Sequence, residues 1–319
     1  MRKLFVDPIE WHSQATIKVK TMICKPASWA RMASLALLLF AAASLTAASK
    51  KYDVTGLLLA ADSSHHSITV SCKAIPGFME AMVMSFPLRD AKLPDGLQPG
   101  APIEFDLIVE KDSSFAENVH IRPFENFELD PTEARRLKLL ENATGSQTPA
   151  AGTLHIGEPV PDFRLTDQNR QSISLSQFAG KVVALTFVYT RCPRPDYCVR
   201  LANNFSLLQR RFANRMGQDL ILLTVVIDPV HDRPETLESY AHTWKADSHS
   251  WHFLTGSASD IQELCRRFDM NVYPDEALFV HSFHTAVIGR DGKLAANLEG
   301  NDFTARQLGD LVETLAASK

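Results

Sequence analysis

The sequence predicts two folded parts: a small all-β barrel of the OB kind, followed by an α/β sandwich of the thioredoxin kind. Three observations carry this. Residues 52–124 hold five short β-like runs divided by turn residues, with no helical spacing among them. After residue 155, long apolar runs alternate with helical patterns. Between the two, the chain turns polar and rich in Gly, Ser, Thr, Pro and Ala, as a linker does. The 319-residue length suits two domains.

The β-part strands are expected at Tyr52–Ala60, Ser67–Cys72, Ala81–Phe86, Pro102–Glu110 and Glu117–Arg122. Asp-Ser-Ser, Pro-Gly and Pro-Asp-Gly sequences separate them. Boundaries are set at 51–125 for this part, 126–154 for the linker and 155–319 for the sandwich. The linker holds one charged helical segment, Pro131–Asn142. In the sandwich, Lys181–Tyr189 and Leu220–Ile227 are continuous apolar runs, as central strands buried on both faces require. Helical spacing marks Tyr197–Met216, Pro234–Lys245, Ser257–Phe268 and Thr304–Ala317, and Ser282–Ile288 reads as a strand entering an Arg-Asp-Gly-Lys turn. The sequons at Asn142 and Asn204 are expected by chance.

Composition narrows the function. A charged share of 22% and a mean hydropathy of −0.09 exclude a disordered or polytopic chain. A pI near 6.3 gives no electrostatic ground for nucleic-acid binding. Five cysteines are too few for a disulfide scaffold.

Residues 1–48 read as an export signal or an N-terminal anchor. Met32–Ala48 is the only long uncharged apolar stretch, preceded by Lys25 and Arg31 and followed by Lys50 and Lys51. Its 17 residues lie at the short edge of a membrane span, and the long basic region before it makes Met22 a candidate start. Either reading places the rest outside the cytoplasm, in the periplasm or anchored to the inner membrane. Without residues 1–48 the chain carries a net charge of about −8 and keeps Cys72, Cys192, Cys198 and Cys265. In an oxidising compartment, free thiols point to metal or redox chemistry.

Two constellations hold soft ligands. Cys192 and Cys198 follow the apolar strand ending at Tyr189, at the entry to a helix whose N-terminus favours thiolate. Two prolines stiffen the loop, so the sulfurs can converge on one ion or close a disulfide. A peroxidase reading is suggested by Thr190 and Arg191, but the second cysteine follows too closely for the usual resolving arrangement. Cys265 falls at helical spacing and reads as a core thiol, while His231, His242, His249 and His252 read as surface residues. The second constellation runs from Cys72 through Met79, Met82 and Met84. Met82 and Met84 alternate on a strand and so share a face. Thioethers select Cu(I), although methionines also fill cores.

Residues 155–319 resemble the Sco (SenC) family of thioredoxin-fold copper proteins. The resemblance rests on Gly157-Glu158-Pro159-Val160-Pro161-Asp162-Phe163, Phe187-Val188-Tyr189-Thr190-Arg191-Cys192-Pro193, Ile227-Asp228-Pro229 with His231-Asp232-Arg233-Pro234, and the segment from His281 to Gly292. It implies that Cys192, Cys198 and His281 bind copper, with His284 at a non-ligand position. The spacing departs from the family's C-P-x-x-C by two extra residues. The stretch Cys72–Phe86 resembles the CusF-like periplasmic copper-binding domain, which implies a Cu(I) site at Met82 and Met84. Met79 stands where some members place a capping tryptophan, and Cys72 replaces a histidine. Together the resemblances imply an exported copper metallochaperone, not an enzyme, that delivers to the dinuclear copper subunit of cytochrome oxidase or another periplasmic cuproprotein. A thiol–disulfide reductase, with Cys192 and Cys198 as its redox pair, and a copper-sequestering resistance protein are the alternatives.

Overall fold

The computed structural model describes residues 49–89, 93–122, 131–144, 152–275 and 278–317. The expected export segment and Cys24 lie outside the described residues, among which no helix is long and apolar enough to cross a membrane.

Five antiparallel strands form the first sheet: β1 (Lys50–Asp62), β2 (Ser67–Cys72), β3 (Val83–Pro87), β4 (Pro102–Val109) and β5 (Ser114–Ile121), ordered β3-β2-β1-β4-β5. A parallel bridge between Leu88 and Ala116 brings the two edge strands together. Four strands lie close to where the turn residues place them, while β3 starts at Val83, leaving Met82 in the approach to it. Val54, Leu58, Ile68, Val70, Phe86, Phe105 and Leu107 make the core of this part.

Helix α1 (Pro131–Thr144) follows, in contact with β12 (Leu278–His281). The second sheet has seven strands: β6 (Arg164–Asp167), β7 (Ser172–Ser174), β8 (Val182–Val188), β9 (Leu220–Val226), β10 (Trp251–Thr255), β13 (His284–Ile288) and β14 (Leu294–Glu299). Their order is β14-β13-β8-β9-β10-β6-β7. Strands β8, β9 and β10 are parallel, whereas β13 and β6 run antiparallel to their neighbours. Every residue of β8 and β9 is buried, as their unbroken apolar runs require. Helices α2 (Arg200–Arg211), α3 (Pro234–Thr243), α4 (Ala258–Arg267) and α5 (Ala305–Ala317) complete the thioredoxin-like sandwich, and β11 (Val272–Asp275) pairs with β12 as a separate hairpin. The predicted Tyr197 helix start is instead a π-turn over Pro195–Val199, with Tyr197 itself outside helical dihedrals.

The two sheets share buried surface. Strand β1 is buried at Leu57, Leu58 and Leu59 in succession, so both of its faces are covered. Leu58 faces the β-part core, while Leu57 and Leu59 join the core of the sandwich. Each contributes about 1.5–3 kcal/mol by leaving water. Helix α5 closes the contact: Ser71 Oγ donates to Asp310 (2.7 Å), Gln307 Nε2 to the Ser71 carbonyl (3.1 Å) and Arg306 to the Cys72 carbonyl (2.6 Å). Arg211 reaches the same Asp310 at 2.8 Å across Gly309, where a Cβ would stand 2.6 Å from the guanidinium.

Cys265 is buried in the core, as its spacing predicts. His252 is not on the surface: it is 6% exposed and its Nδ1 lies 3.1 Å from the buried Asp167 carboxylate. Its place on the fully buried β10, where both faces are covered, overrides the preference of histidine for solvent.

Candidate metal sites

The approach to Cys192 is pinned before the cysteine is reached. The Thr190 amide donates to Asp232 at 3.0 Å and its hydroxyl donates to the same carboxylate. Asp232 is fully buried, and burial raises its carboxyl. Arg191 donates to Asp228 at 2.6 Å and lies 3.0 Å from His231 Nδ1. Burial works against the Asp228 carboxylate, yet Arg191 and His231 hold it below its ordinary range. Both Thr190 and Arg191, which invite a peroxidase reading, are thus tied to the loop after β9.

Cys192 is half-buried and Cys198 almost wholly so. Both are free of disulfide, and Cys192 Sγ donates to the Arg194 carbonyl at 3.8 Å. The Cys198 thiol donates to Cys192 and, against the opposing effect of burial, draws the Cys192 pKa down to about 6; Tyr189 adds a further hydrogen bond. Burial in turn pushes the Cys198 thiol well up. The pair therefore carries one thiolate and one thiol near neutral pH, with the thiolate on the more accessible sulfur.

His281 ends β12, 6% exposed. Its Nδ1 stands 2.7 Å from the Ser282 carbonyl, which only accepts, so Nδ1 carries the proton and Nε2 keeps a lone pair. Burial lowers its pKa to about 4, leaving a neutral imidazole, the ligand form. An aromatic series connects it to the cysteine loop: Tyr189 edge-on at 5.8 Å, Phe283 at 4.7 Å, and Tyr197 of the loop at 4.8 Å from Phe283. Sequence reasoning missed these aromatics, which look like ordinary core residues. Among the described residues, no three His, Cys, Asp or Glu side chains group closely enough to hold an ion. The structure brings the two cysteines together, with His281 beside Tyr189.

His284, the non-ligand position, is also buried, with its pKa lowered to about 4 by burial, and its Nδ1 is 3.3 Å from Asn297.

In the β part, the Cys72 amide donates to the Met82 carbonyl at 2.9 Å, and Val70 is registered against Met84. Cys72 and Met84 thus fall on the same side of neighbouring strands, and the Met82 backbone meets Cys72 just before β3 begins. Cys72 is fully buried, which raises its thiol to about 12, whereas Met82 is 47% exposed and Met79 and Met84 are half-buried. Gly56, opposite Cys72, leaves room for β2: a Cβ there would meet Val70 at 2.5 Å and the Ser71 carbonyl at 2.8 Å. Phe78 stacks on Tyr52 with ring centroids 4.0 Å apart. His65 and His66 are exposed in a turn.

Two thiols with a neutral imidazole, and a thiol with thioethers, are donor sets that fit a soft ion such as Cu(I). The class is a thioredoxin-fold thiol protein joined to a β domain rich in soft donors. More particularly, the chain belongs to the SCO1/SenC family, whose model matches residues 154–316, just over half its length. Residues 51–123 match the model of the copper-binding periplasmic protein CusF. A SCO1 protein homolog of Bacillus subtilis is 26% identical over 163 residues, covering 49% of this chain and 83% of the relative. A SCO2-like protein of Rickettsia typhi is 28% identical over 148 residues, covering 44% and 68%. Among solved structures, BsSco, described as a Sco-family cytochrome c oxidase assembly protein with a disulfide switch, aligns at 23% identity and a TM-score of 0.45, covering 52% of this chain and 98% of that one. Copper-bound yeast Sco1 aligns at 22% and 0.43, covering 52% and 91%.

Proposed function

We propose that this protein is an extracytoplasmic copper chaperone that holds copper at two sites and delivers it to a cuproprotein, with the dinuclear copper subunit of cytochrome c oxidase as recipient. Cys192, Cys198 and His281 form the delivery site; Cys72, Met79, Met82 and Met84 form the second. The observation that supports the reading is a pair of free thiols, Cys192 and Cys198, just after Tyr189, whose ring stands edge-on to the buried His281 imidazole at 5.8 Å. Export to the periplasm, by a cleaved signal or an anchor at residues 32–48, is supported by the uncharged apolar stretch Met32–Ala48 with its flanking basic residues and by the match to the periplasmic CusF model.

Anaerobic Cu(I) titration of the reduced protein tests this. Two equivalents are expected, one lost in Cys192→Ala and the other in Met82→Ala. Uptake unchanged by either substitution would refute the assignment.

One observation favours a second reading, a thiol–disulfide reductase: Cys192 and Cys198 are both free thiols, with the Cys192 pKa drawn down by Cys198, while among the described residues no three His, Cys, Asp or Glu side chains are grouped around an ion position. The Cys192 thiolate would attack a partner's disulfide and release one partner thiolate. Cys198, losing its proton, would then displace the other, leaving a Cys192–Cys198 disulfide and a reduced partner. Reduction of a recipient's disulfide by protein that takes no copper at this site would favour it.

A further inference from the structure

The widened cysteine loop is bonded to the segment that carries the other site. Asp196, two residues before Cys198, accepts a hydrogen bond at its carbonyl from Asn301 Nδ2 at 2.6 Å. Arg200, two residues after Cys198, donates to the Asp302 carbonyl at 3.1 Å. The Asp302 carboxylate lies 3.1 Å from Lys73, the residue after Cys72, and 3.9 Å from Arg122. Arg306, a little further along, holds the Cys72 carbonyl. Asn301 is fully buried, and its Oδ1 has no hydrogen-bond partner among the described residues, so the amide is held through Nδ2. The chain from Gly300 to Phe303 therefore touches both flanks of Cys198 at one end and the flank of Cys72 at the other.

Both sites must rearrange to bind an ion. At the sandwich site no three His, Cys, Asp or Glu side chains among the described residues are grouped, so drawing Cys198 and His281 onto one metal shifts the loop and Asp196 with it. At the β site Cys72 is wholly buried while Met82, bonded to it through the backbone at 2.9 Å, is exposed, so an ion held by both sulfurs pulls on the Cys72–Lys73 segment. Each rearrangement works against the same clamp.

We propose that the two copper sites are thermodynamically coupled through the Gly300–Phe303 loop, so that filling one raises the affinity of the other. The inference rests on the reading of both as copper sites. Loading the sandwich site loosens Asn301 from Asp196 and Asp302 from Lys73. The segment at Cys72 is then free to close, and by linkage the effect runs equally in reverse.

The test is anaerobic Cu(I) binding by the full chain, read by competition with a chromophoric Cu(I) chelator. The product of the two stepwise constants is compared with the product of the constants of two single-site variants, Cys192→Ser/Cys198→Ser and Met82→Ala/Met84→Ala. A ratio of about tenfold is expected, within the usual range of coupling between sites. Asn301→Ala should bring it below about twofold while both sites still load. Asp302→Ala, at an exposed position, should lower it without touching the core, and so serves if Asn301→Ala fails to fold. A wild-type ratio near one, with both sites loaded, overturns the coupling alone. A protein that takes no copper at one site overturns the underlying reading and the coupling together.

Discussion

Ser71 Oγ donates to the Asp310 carboxylate at 2.7 Å, both residues buried and 239 positions apart in the chain. The same carboxylate receives Arg211 and Arg306, at 2.8 and 3.0 Å. A serine at the end of a β-domain strand thus completes an ion-pair cluster on the last helix of the sandwich, and the two parts stand as one packed body.

Loss of that carboxylate should weaken both parts together. Asp310→Ala removes one acceptor from each of two guanidinium groups and leaves the buried Ser71 hydroxyl without its carboxylate, and should cost about 3 kcal/mol. Urea unfolding followed by circular dichroism and tryptophan fluorescence should show one transition moved to lower urea in both signals. Two separate transitions, with only one of them moved, would contradict a shared core.

Acid should destabilise the fold through its buried imidazoles. His281 and His284 have folded pKa values near 4 against an ordinary 6.5, so between those values the unfolded chain binds protons that the folded one refuses. Stability is therefore full above pH 6.5 and falls as the pH drops towards 4, by up to about 3 kcal/mol for each ring. Denaturant midpoints measured across this range should show the decline, and His284→Gln should remove about half of its slope.

Thiol reactivity should reveal the proton held by Cys198. Alkylation of Cys192 should rise with pH through a midpoint near 6. In Cys198→Ala the donated hydrogen bond is gone and the midpoint should move upward. Mass-mapped alkylation rates check this, and a wild-type midpoint near 9 would contradict it.

Peroxide should report on the methionines. Exposed Met82 should form sulfoxide before Met270, which is 5% exposed. One equivalent of Cu(I) at the β site should protect Met82 and leave Met270 unchanged. Peptide mass analysis reads both.

Much of this was legible in the sequence because period and burial agree there. The apolar runs at Lys181–Tyr189 and Leu220–Ile227 read as buried strands and form β8 and β9, whereas Met82, expected to alternate with Met84 on one strand, lies just before β3. What escaped depends on contacts distant in sequence. The triplet Leu57-Leu58-Leu59 breaks alternation and was the one local sign that β1 is covered on both sides. Asp310 and Ser71 look like solvent-facing residues until each finds the other, and His252 looks like surface until Asp167 takes its ring. The π-turn over Pro195–Val199 delays the start of α2, which spacing alone does not reveal.

The central claim, copper delivery from the Cys192–Cys198–His281 site, is tested most directly by mixing copper-loaded protein with the metal-free, reduced soluble domain of a dinuclear-copper oxidase subunit. Metal in each protein is then measured after separation. Copper should move to the recipient from wild type, and none should move when Cys192→Ala protein is loaded at its β site alone. Copper that stays with the wild-type protein, or an equal transfer from the Cys192→Ala variant, would contradict the account.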